Sequence, residues 1–109
     1  MNAIGRVIRS TITIAALLEC GTARSQDVGR PPQGFRLAQQ VCAECHAIDK
    51  ATMTSPNPTA PRFQTIANTP GMTEMALSVA LRTPHRTMPN LILESDEVRD
   101  VAAYILSLK

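Results

Sequence analysis

The residues with the most chemistry lie in one short run, Cys42-Ala43-Glu44-Cys45-His46. Two thiols at i and i+3 on a helical turn lie on one face, and an imidazole follows at once. Such a pair can add to two vinyl groups along one side of a flat macrocycle. The next residue then projects toward the ring centre and offers a nitrogen to a metal there. C-x-x-C-H is the attachment signature of c-type haem on these grounds, with His46 as the proximal iron ligand.

Other chemistries use the same residue types. A C-x-x-C pair alone suits a thioredoxin-like dithiol, but that reading wants a βαβ context, which is missing here. A structural zinc site wants four ligands. The chain beyond residue 25 offers Cys42, Cys45, His46 and His85, and His46 lies awkwardly beside Cys45 for a single tetrahedron. A plain Cys42–Cys45 disulfide is the blandest alternative.

A haem iron held by His46 has a second axial position. A thioether is a soft, neutral donor suited to it. The five methionines stand at 1, 53, 72, 75 and 88. Met75 falls in a predicted helix and reads as core packing. Met53 is close to His46 and would have to reach around the ring. Met88 sits in a loop, braced by Pro89, far enough beyond His46 for the chain to wrap from one haem face to the other. Met72 and His85 remain as rivals. A ligating histidine also needs a fixed acceptor for its other ring N–H. A carbonyl in the proline-braced loop suits that task, from Pro61 or from Pro58.

These groups need elements to hold them. The run from Gly34 to Cys45 predicts a first helix, with Leu37, Ala38, Val41 and Cys45 on one face. Residues 51–61 carry Pro56, Pro58 and Pro61 and predict an irregular loop. A short helical turn is expected over 62–68. Thr73 reads as the N-cap of a helix over 74–82, ended by Pro84. Ser95 reads as the N-cap of a last helix, with Asp96 and Glu97 in its first turn. Its apolar stripe is Val98, Val101, Ala102 and Ile105, flanked by Tyr104 and Leu108. Gly34 and Ala38 form a small-residue pair against which Tyr104 would pack. No alternating pattern predicts a strand, so the fold class is all-α.

The chain has 109 residues, one domain's worth. Aromatics make up 3% of it and tryptophan is absent. A small scaffold with so few bulky side chains needs a staple such as a metal or cofactor.

Residues 1–25 read as a cleavable secretory signal. Arg6 and Arg9 form the positive region, Ser10 to Leu18 the apolar run, and Ala23-Arg24-Ser25 the small-residue site before Gln26. The run is far short of the roughly 20 residues that span a bilayer. Cys20 hints at a lipoprotein, but Glu19 precedes it where a small residue belongs. Residues 26–33, with Gly29, Pro31 and Pro32, read as a linker to a domain at 34–109. Without residues 1–25, which hold Arg6, Arg9, Arg24 and Glu19, the formal charge falls from +2 to zero. A neutral domain excludes a charge-driven nucleic-acid binder.

From Gly34 to Lys109 the chain resembles the small class I bacterial cytochromes c. The order of features matches: a helix, Cys42-Ala43-Glu44-Cys45-His46, a proline-rich loop, short helices, Thr87-Met88-Pro89-Asn90, and a last helix carrying Tyr104. The resemblance implies the cytochrome c fold, three to four helices around one covalent haem c, with crossing first and last helices. It implies haem attachment at Cys42 and Cys45, iron ligation by His46 and Met88, and a Pro61 carbonyl that holds His46. Ala38 departs from it, standing where the family often has an aromatic. The function implied is a periplasmic, monomeric carrier of single electrons by Fe(III)/Fe(II) cycling, not an enzyme, with a transient redox donor and acceptor. The alternatives are a dedicated haem subunit of a periplasmic dehydrogenase and a ligand-binding haem sensor.

Overall fold

The computed structural model describes residues 28–85 and 87–109. The expected signal segment, Cys20 and the start of the expected linker lie outside these residues. Four helices follow in order: α1 (Pro31–Val41), α2 (Phe63–Ala67), α3 (Glu74–Arg82) and α4 (Ser95–Leu106). Among the described residues there is no strand, as the sequence patterning predicts.

α1 begins three residues before the predicted start, inside the stretch read as a linker. The reason is local. Pro31 and Pro32 occupy the first helical positions, where a missing N–H costs nothing and a fixed φ favours the helix. The signal that suggested a linker is therefore also a helix-start signal. At the other end α1 stops at Val41. Residues 42–46 continue as a hydrogen-bonded turn, with the Cys45 and His46 amides donating to the Cys42 carbonyl at 3.1 and 2.9 Å.

α3 matches its prediction in both limits, and the Thr73 hydroxyl caps it by accepting from the Ala76 amide at 3.1 Å. α4 differs at its cap. Glu94, not Ser95, is the N-cap, and the Glu97 carboxylate accepts from the Glu94 amide at 2.8 Å. The longer Glu97 side chain reaches back one full turn to a backbone donor that the helix itself leaves unsatisfied.

α4 packs chiefly on α1, and also on α3 and α2. The predicted stripe is its buried face, with Val98, Val101, Ala102 and Ile105 almost wholly inaccessible. The α1–α4 crossing is tight because Gly34 presents no side chain. A Cβ there would collide with the Asp100 carbonyl oxygen and lie 2.8 Å from Tyr104 Cβ. Ala38, fully buried, extends the same small surface. The ring that the family resemblance places at Ala38 comes instead from Phe35, whose centroid lies 5.2 Å from that of Tyr104. Phe63 continues the row at 6.4 Å from Tyr104 and 5.4 Å from His46. The chain's one tyrosine and two phenylalanines thus form a single column from the helix crossing to the histidine of the motif.

A second lock joins the chain just before α1 to α4. The Arg30 amide donates to Asp100 Oδ1 at 2.7 Å, and its guanidinium donates to Oδ2 at 3.0 Å. Asp100 is 6% exposed. Burial alone would raise its pKa, but the Arg30 hydrogen bonds and charge outweigh it and hold the carboxyl below its usual value. The described end of the expected linker is therefore part of the packed domain.

Candidate haem site

Every element contributes a wall to one largely apolar cavity of about 250 Å3. Cys42, Cys45 and His46 enter from the turn after α1, Pro61 from the irregular loop, and Met88 from the segment between α3 and α4. The five residues singled out by sequence are brought together around one space.

The turn is held from behind by main-chain bonds. The Asn57 amide donates to the Cys45 carbonyl at 3.1 Å, and the Phe63 amide to the Ala47 carbonyl at 2.9 Å. The buried Ser55 hydroxyl accepts from the Ala47 amide at 3.0 Å. The Tyr104 hydroxyl donates to the Ile48 carbonyl at 2.7 Å, so α4 fixes the chain just beyond the motif. The irregular loop is in turn gathered by Arg62, whose guanidinium donates to the Thr52 and Lys50 carbonyls at 3.0 and 3.4 Å.

His46 Nδ1 lies 2.7 Å from the Pro61 carbonyl oxygen. A carbonyl only accepts, so Nδ1 carries the proton and donates. Nε2 is then the bare nitrogen and carries the lone pair a metal needs. Of the two prolines weighed, it is the Pro61 carbonyl that lies within hydrogen-bond distance of His46.

Cys42 and Cys45 are unpaired. Burial pushes the Cys42 thiol up to about 11, which keeps it neutral near pH 7. A thioredoxin-like dithiol works through a lowered thiol pKa, so the environment of Cys42 disfavours that reading. Among the described residues no group of three or more His, Cys, Asp and Glu side chains is placed to hold a metal ion, and the zinc reading finds no support.

The methionines separate clearly. Met53 and Met75 are 71% and 74% exposed and stand off the cavity. Met75 is thus not the core residue its helical position suggested: α3 turns it to solvent and buries Leu77 instead. Met72 lines the cavity but packs against the core cluster. Its amide donates to the Thr69 carbonyl at 3.0 Å, and its own carbonyl accepts from Lys109 Nζ at 3.2 Å. Met88 and His85 line the cavity from the segment between α3 and α4.

The residues present fit a c-type haem. Two thiols stand on the wall beside a histidine with its lone pair free, a thioether stands on another wall, and the rest of the lining is mostly aliphatic. The arrangement defines a class: a small all-α c-type cytochrome of the class I kind. The cytochrome c family model matches residues 32–109. Cytochrome c-552 of Bradyrhizobium diazoefficiens is 31% identical over 98 residues, covering 90% of each chain. No solved structure matches the chain. The chain belongs to the cytochrome c family. It is accordingly an electron carrier rather than an enzyme, and its cofactor is covalently bound haem c.

Proposed function

We propose that the protein is a periplasmic monohaem carrier of single electrons, with the iron held between His46 and Met88. The observation that carries this reading is the 2.7 Å contact from His46 Nδ1 to the Pro61 carbonyl, in a cavity walled also by Cys42, Cys45 and Met88. It fixes the tautomer and the ring plane of the proximal ligand in the folded protein.

Bound haem supplies the one-electron Fe(III)/Fe(II) couple. The protein's residues do the rest. Cys42 and Cys45 would hold the macrocycle by thioether bonds, so that it could not dissociate. The Pro61 carbonyl holds the His46 tautomer through the hydrogen bond and stops the ring from rotating. The Met88 thioether favours the ferrous state. The aliphatic walls, among them Ile66, Leu77, Leu81 and Ile105, exclude water and keep the local dielectric low. His46 and Met88 would hold the iron from the chain itself, which suits electron transfer rather than substrate binding at the metal. Electrons pass instead to and from transient redox partners.

Export is supported by the positive, apolar and small-residue layout of residues 1–25. No helix among the described residues is long and apolar enough to cross a membrane. One C-x-x-C-H motif suits one haem per chain, and the carrier reading takes the protein as a monomer.

The test is spectroscopy of protein made alongside haem-attachment machinery. Wild type should keep its haem through acidified organic extraction. Its ferric form should show the weak sulfur-to-iron band at the red end of the visible spectrum, and Met88→Ala should abolish that band and lower the potential. A wild type with no such band and rapid carbon monoxide binding would point to a sensor and overturn the carrier reading.

A further inference from the structure

Two imidazoles line the cavity, His46 and His85, and the reading above uses only the first. His85 lies three residues before Met88, on the segment that joins the α3 C-cap Thr83 to the α4 N-cap Glu94. That segment is anchored at its feet. The Thr83 hydroxyl donates to the Val79 carbonyl at 2.7 Å, and the Arg82 guanidinium reaches the Ser95 hydroxyl at 3.4 Å. Between the feet the picture changes. Among the described residues from 84 to 93, none takes part in a main-chain hydrogen bond. Pro84 and Pro89 bracket the two donors and lack an N–H to offer.

The segment can therefore exchange one side chain for the other without breaking a hydrogen-bond ladder. The two donors sit at different depths: Met88 is half-buried, and His85 is exposed at the cavity's edge. Met72, the other sulfur in the wall, is tied down by its main-chain bonds and its core packing.

We infer that His85 is a reserve axial ligand, which takes the position of Met88 on the same iron when the thioether leaves it. The inference rests on Met88 being the ligand in the resting protein. Imidazole is a good donor to haem iron, and exchange of thioether for imidazole lowers the potential while it keeps the iron six-coordinate. Loss of Met88 would then not convert the carrier into an open haem that binds small ligands. It would give a closed, low-potential form.

The experiment compares four holoproteins: wild type, His85→Ala, Met88→Ala and the double variant. Absorption, electron paramagnetic resonance and carbon monoxide binding are read on each, with circular dichroism as the check on helix content. His85→Ala should keep the sulfur band and the wild-type potential. Met88→Ala should lose that band yet stay low-spin, with the resonance pattern of two imidazole ligands, and bind carbon monoxide slowly. The double variant should turn high-spin and bind carbon monoxide rapidly, and added free imidazole should return it to low spin. A Met88→Ala protein that is already high-spin, or a double variant that stays low-spin, would overturn the inference. A wild type without the sulfur band is a different failure, that of the Met88 ligation itself.

Discussion

Gly34→Ala tests whether the helix crossing governs the haem site. The substitution adds a single methyl group to α1, at the point where α1 and α4 touch. The methyl would overlap the Asp100 carbonyl oxygen and press on Tyr104 Cβ at 2.8 Å. The obstructing atoms are the backbone of α4 and the root of a buried side chain, so no flexible tip can swing away. The two helices must separate instead. Overpacking of this kind costs about 1–3 kcal/mol, and rigid backbone places this case at the upper end. Alanine recovers about 1 kcal/mol through its better helix propensity. A net loss of about 2 kcal/mol remains, which is a fall in Tm of roughly 10 °C for a domain of this size. The separation should also strain the Tyr104–Ile48 hydrogen bond, and with it the chain just beyond His46. Thermal unfolding of the ferric holoprotein, followed by far-ultraviolet circular dichroism and by haem absorption, measures both effects. A variant as stable as wild type, or more stable, would refute the claim that Gly34 is required by contact with α4.

Other substitutions probe the remaining supports. Asp100→Asn removes the charge from the pair with Arg30 and should cost about 1–2 kcal/mol at pH 7. Because the folded Asp100 carboxyl lies below its usual value, its contribution is complete above the unfolded pKa of about 3.9 and fades as pH falls through the folded value. Denaturant titrations of the two proteins should therefore converge in acid, and a gap independent of pH would defeat the assignment. Tyr104→Phe leaves the Ile48 carbonyl without its buried donor and should cost about 1–2 kcal/mol with little change in potential, read by unfolding and by redox titration. Cys42→Ala with Cys45→Ala should give a largely unfolded chain by circular dichroism. The fully buried side chains are modest in size, Ile105, Val98 and Val101 being the largest, and native-like helix content without haem would show that the core stands alone.

The chemistry was legible along the chain because it is local. Cys42, Cys45 and His46 occupy one turn, and their spacing alone implies a face-sharing pair of thiols with an imidazole beside it. The helices were legible for a similar reason. The Thr73 cap of α3 and the apolar stripe of α4 are short-range patterns, set by bonds and side-chain directions within a turn or two. Boundaries failed where one local signal serves two structures, as with the proline pair that both stiffens a linker and starts a helix. The same holds for Glu94, since glutamate is a less usual cap and Ser95 beside it is a common one.

Only the folded chain decides which distant residues meet. Asp100 reads as an ordinary polar position in a helix, and its pairing with Arg30 depends on α4 lying across the start of α1. Pro58 and Pro61 are equivalent by type, and the acceptor for His46 is chosen by where the loop is gathered by Arg62 and by the 47–63 main-chain bond. Met53, Met72, Met75 and Met88 are chemically alike. Packing places Met53 and Met75 in solvent, ties Met72 into the core, and leaves Met88 facing the cavity from a segment with few constraints. Residue type and spacing determine what each group can do, because those are properties of covalent structure and of single turns. Which group is in place to do it depends on long-range contacts, and these arise only when Gly34 lets two helices close on each other.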